Sequence, residues 1–139
     1  GSVYNKLSYD EIKPLLPTIH EAVVKPAPSG IMFADGIRLA GLKLLAKHHI
    51  KDGIPLCIEL MEIERWNKKS RIMGNLKILD SYGAAAKEAL PEMRQLALDL
   101  KKHREQRMLV EHIKVLDALI TKLEMADAST SEPLRSLKD

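Results

Sequence analysis

The residues of this 139-residue chain that could do chemistry are five histidines, one cysteine and a group of carboxylates. A metal or acid–base site needs several such side chains to converge. His20, His48, His49, His103 and His112 are spread along the chain, and only His48 and His49 are adjacent. That pair falls at a predicted helix end, where imidazoles complement the helix dipole. His112 lies on the apolar face of the last predicted helix, as a core histidine, and His103 in a basic turn. Cys57 stands beside Leu56 with no histidine in its segment to activate it, so it is expected to be a small buried thiol. A lone cysteine excludes an internal disulfide. Glu59, Glu62 and Glu64 fall on a solvated helix flank, and no glycine-rich phosphate loop, nucleophile elbow or Cys/His cluster occurs. The expectation is therefore no catalytic residue, no metal and no cofactor.

Charge placement is more informative. "RWNKKSR" at 65–71 and "KKHREQR" at 101–107 lie 36 residues apart, each in a predicted turn between two helices. If successive hairpins stack, Arg65, Trp66, Lys68, Lys69, Arg71, Lys101, Lys102, Arg104 and Arg107 form one basic edge with a single aromatic. Such an edge supplies the sequence-independent electrostatic part of nucleic-acid binding, or attracts an acidic protein or a sister domain. The simpler account is that basic residues at helix C-termini are worth about 0.3–1 kcal/mol each against the dipole.

The elements that must position these residues follow from three dipeptides. Leu16-Pro17, Ile54-Pro55 and Leu90-Pro91 are spaced 38 and 36 residues apart, each opening an apolar stripe. That period is the length of a helical hairpin. "LKLLAKHH" at 42–49 and "LKILDSYG" at 76–83 align without gaps at an offset of 34. The first stripe, Ile12, Leu15, Leu16, Ile19 and Val23, follows a capping box at Ser8 and Glu11 and is kinked by Pro14 and Pro17. "KPAPSG" at 25–30 breaks the chain. Phe33, Ile37, Ala40, Gly41, Leu44, Leu45 and His48 form the second stripe. Asp52 and Gly53 start a third helix carrying Cys57, Leu60, Met61 and Glu64 to about Trp66. Ser70 caps a fourth with Ile72, Met73, Leu76 and Leu79, ended by Gly83. Ala86, Ala89, Leu90, Met93, Leu96, Ala97 and Leu100 make the fifth, and Leu109, His112, Ile113, Leu116, Leu119, Ile120 and Leu123 the sixth. Gly41, Gly74 and Ala84 to Ala86 allow close approach of neighbouring helices.

Apolar residues at 45% against aromatics at only 4% favour helices over sheets. The net charge of +3 is too mild to fix a nucleic-acid or membrane partner, and no uncharged apolar run is long enough to span a membrane. Gly1-Ser2 has the form of a tag scar, so residues 1–8 are expected to be scar and leader, 9–126 the helical domain and 127–139 a loose C-terminal tail. The predicted fold is all-α, six helices in three hairpins arranged as a short right-handed α-α superhelix, or solenoid.

"YGAAAKEALPEMRQL" resembles the turn and first helix of a HEAT repeat, and the resemblance extends more loosely over residues 10–125. It implies a stacked module for binding or spacing, and no reaction. Some HEAT-like hydroxylases hold iron through His-Glu pairs at equivalent points of successive repeats. Here only His20-Glu21 has that form, because Ile58-Glu59 and Arg94-Gln95 occupy the equivalent positions. The expected function is a non-catalytic protein-interaction or scaffold module within a larger bacterial protein, with a nucleic-acid-binding HEAT-like domain as the alternative.

Overall fold

Each of the three proline dipeptides opens a helix, because a first-turn amide has no partner to lose. In the computed structural model, which describes residues 6–24, 33–65, 68–127 and 133–137, the α-helices are α1 (Tyr9–Ile12), α2 (Leu16–Val24), α3 (Phe33–Lys47), α4 (Gly53–Glu59), α5 (Lys68–Ser81), α6 (Leu90–Lys102) and α7 (Val110–Met125). α1 and α2 are one kinked stretch joined by a 3-10 turn at Lys13–Leu15, where Pro14 interrupts the regular ladder. The capping box is formed: the Glu11 amide donates to Ser8 Oγ and the Ser8 amide to Glu11 Oε1. Hydrogen bonding to the carboxylate, first from the Ser8 amide and then from the Ser8 side chain, holds the Glu11 carboxyl below its ordinary range. No strand occurs among the described residues, so the protein is all-α.

Burial follows the stripes most faithfully in the last two helices. Leu90, Met93, Leu96, Ala97 and Leu100 are all buried in α6, and Leu116, Leu119, Ile120 and Leu123 in α7. One continuous apolar cluster runs from Ile12 to Leu123. Helix α2 packs on α3, α3 on α5, α5 on α7 and α6 on α7, while α4 touches α3, α5 and α6. Gly41 brings α2 and α3 together: a Cβ there would collide with the Val23 side chain. The aligned segments 42–49 and 76–83 end α3 and α5 in the same way. Leu42, Leu45 and His48 are buried, as are Leu76, Leu79 and Tyr82, and the next residues, His49 (φ 56°) and Gly83 (φ 63°), both adopt the left-handed conformation that closes a helix.

The structure departs from the sequence pattern in several places. The α3 stripe holds at Gly41, Leu44, Leu45 and His48 but not nearer its start, where Ile37 is 57% exposed, Ala40 is exposed and Arg38 is buried instead, paired with Glu62 at 3.1 Å. Phe33 falls where side chains are outside the described residues. α4 ends at Glu59 rather than near 66, and Glu62 (φ 45°) turns the chain. α5 begins at Lys68, which places Ser70 inside its first turn rather than at its cap. Residues 133–137, expected to be loose, are docked. The Arg135 amide donates to His49 O and the Lys51 amide to Arg135 O, both at 2.8 Å, and the Leu137 amide donates to Asp52 Oδ1. The Arg135 guanidinium lies 3.9 Å from the centre of the Tyr9 ring and donates to His48 O.

Candidate functional site

The two basic turns do lie side by side. Lys68 Nζ is 2.9 Å from Glu105 Oε1, and His112 Nε2 donates to the Lys69 carbonyl at 2.8 Å. Their charges, however, are largely spent on the fold. Arg71 is buried; its Nε donates to Met61 O and its Nη2 to Glu62 O and Arg65 O, all within 2.9 Å. The early stop of α4 leaves these carbonyls without helical partners, and the planar guanidinium fork reaches all three at once. Lys68 is buried as well, with its ammonium on Glu105. That hydrogen bond holds the Glu105 carboxyl below its ordinary range. Arg65 pairs with Glu62 and Lys101 with Asp117. Trp66 lies outside the described residues. Of the nine predicted edge residues, Lys69, Lys102, Arg104 and Arg107 are exposed and make no ion pair among the described residues.

A second cationic surface was missed in the sequence. Lys43 and Lys47 on α3 and Lys77 on α5 line a groove of about 580 Å³ together with His49, above Ala46 and Ile78. All three lysines are exposed. The offset-34 alignment contained the necessary clue, since Lys43 and Lys77 are aligned positions of "LKLL" and "LKIL". Packing α3 against α5 places equivalent residues across one groove.

The histidines are dispersed, and no group of three His, Cys, Asp or Glu among the described residues could hold a metal. His48 is buried and its pKa is lowered, first by burial and then by the Lys47 and Arg135 charges. His103 Nδ1 accepts from the Glu105 amide, which places the proton on Nε2. That atom sits 3.4 Å from Glu64 Oε1, too poorly aligned for a hydrogen bond. Cys57 is buried, and burial pushes its thiol up to about 12, far from the thiolate that nucleophilic chemistry requires. Tyr82 donates to Ile50 O at 2.7 Å, and burial raises its phenol.

No protein-family model matches the chain, and no curated protein and no solved structure matches it either. No helix is long and apolar enough to cross a membrane among the described residues.

Proposed function

We propose that this protein is a non-catalytic interaction module, a short right-handed stack of helical hairpins of the HEAT-like kind within a larger protein, which holds an acidic protein segment in the groove between α3 and α5. The observation that carries this reading is the convergence of Lys43, Lys47 and Lys77 on a groove with an apolar floor. Flexible ammonium groups around an apolar strip suit carboxylates spaced along a peptide whose own apolar residues face the floor. The stacked arrangement is supported by the matching ends of α3 and α5 and by the recurrence of proline in the first turns of α2, α4 and α6.

The test is a titration of a labelled Glu/Leu peptide against the native chain and the double variant Lys43→Glu/Lys77→Glu. The reading requires saturable binding that the variant weakens by about tenfold or more. Equal binding to both proteins would remove it. The four exposed cations of the basic turns favour a second reading, nucleic-acid binding. It requires that a single-stranded oligonucleotide bind with a steep salt dependence and that Lys102→Glu/Arg104→Glu abolish the retardation. No retardation at low salt would end that alternative.

A further inference from the structure

A trough of opposite charge runs between α4 and α6. Ile54, Pro55, Ile58 and Ala89 form its floor, and Glu59, Glu88 and Glu92 its rim, around a volume of about 320 Å³. Past Glu59 and Glu92 it continues into a second hollow of about 360 Å³, floored by Ile63 and Leu96. Glu59, Glu88 and Glu92 are exposed, and none has a cationic partner among the described residues. The fold gives Glu92 a reason, because it stands in the first turn of α6 where the dipole favours an anion. Glu59 has no such reason. It is the last residue of α4, the end at which a carboxylate opposes the helix dipole.

We infer that this trough is the docking site of a cationic amphipathic helix. Its apolar residues, at i, i+3 or i+4 and i+7, would lie on Ile54, Ile58 and Ala89, and its Lys or Arg flanks would meet Glu59, Glu88 and Glu92. From Glu88 to Asp99 the wall is roughly 17 Å long at about 1.5 Å per residue, which matches about three turns of a bound helix. Burying the floor removes apolar surface from water, and the carboxylates select a basic partner over an acidic one. This surface and its charge preference are separate from those of the α3–α5 groove, so the two tests succeed or fail independently.

The probe is a fluorescein-labelled Leu/Lys helix of about four turns, titrated against the full chain by anisotropy at about 50 mM salt. The control peptide has every Lys replaced by Glu. Saturable binding of the Leu/Lys helix is expected, weakened by at least about tenfold in Glu59→Lys/Glu92→Lys and in Ile58→Glu. Lys43→Glu/Lys77→Glu is expected to leave it unchanged, and circular dichroism to show that each variant retains its helix content. Three results overturn the proposal: unchanged binding by Glu59→Lys/Glu92→Lys, equal affinity for the Glu control, or a native dimer in sedimentation equilibrium that Glu59→Lys/Glu92→Lys dissolves. In the last case the occupant is a second copy of this chain.

Discussion

Lys68 and Arg71 on α5 and Lys43 and Lys77 on the α3–α5 groove are the same kinds of residue put to opposite use. The first pair is buried and holds the protein's own carbonyls and a carboxylate. The second pair points to solvent beside a groove. The difference lies in what each helix leaves unsatisfied. Where α4 stops at Glu59, the carbonyls of Met61, Glu62 and Arg65 face inward and draw a guanidinium to them. Where α3 and α5 run side by side, their backbones are already paired within each helix, and Lys43 and Lys77 stay exposed. A cluster of cations in the sequence thus stays on the surface only where no unsatisfied backbone carbonyl nearby draws it inward.

The largest loss is expected at Arg71. Arg71→Ala strips the Met61 and Arg65 carbonyls of their guanidinium donor and leaves the Glu62 carbonyl only its bond from the Arg65 amide, and the expected loss is about 3–5 kcal/mol, the cost of orphaned buried polar groups. A urea unfolding midpoint within error of the native value would show that Arg71 is an ornament of the edge and not a strut. Next in size is Glu105→Gln, which leaves the Lys68 ammonium buried without its carboxylate and should cost about 1–3 kcal/mol. Adding Lys68→Met removes the stranded charge, so the double variant should recover most of that loss; additive losses would contradict the pairing.

Acid acts on a buried histidine near two cations, Lys47 and Arg135. The His48 pKa is lowered from 6.5 by burial and by two cations, so the unfolded chain binds the proton more readily than the folded one. Stability is then full above pH 6.5 and falls as the pH drops through 6.5 toward the lowered folded value. Arg135→Gln removes one cation facing His48, and the thermal midpoint measured between about pH 7 and 5 should fall less steeply in that variant. A flat profile in the native chain would show that His48 is not protected from protons. The smallest effect belongs to the outward lysines. Lys43→Gln and Lys77→Gln should each change stability by less than about 0.5 kcal/mol, and a larger loss would mean that these side chains serve the fold after all.

Much of the fold was legible. The α6 and α7 stripes, the capping box at Ser8, the proline starts and the close approach at Gly41 are all local patterns, and the structure realises each of them. The α3 face departs from its stripe only near its start, because the Glu62 carboxylate, supplied by a distant turn, pairs with Arg38 and gives that buried charge a partner, while Ile37, about 100° away around the helix, is left exposed. The docking of residues 133–137 left no trace in periodicity, since it rests on backbone bonds to His49 and Lys51 and on a Tyr9 ring. Of the candidate edge, the proximity of the two turns could be read from the 36-residue spacing, whereas the direction of each side chain could not.

By itself the sequence settled the helical class, the number and order of helical stretches, and the apolar faces of the last two, because hydrophobic period, capping and proline placement act within a few residues of one another. Only the tertiary structure decided which cations became internal struts and which remained on the surface, since that choice depends on carbonyls and carboxylates brought from other helices. It also placed Lys43 opposite Lys77, and Glu59 opposite Glu92, along two grooves of opposite charge.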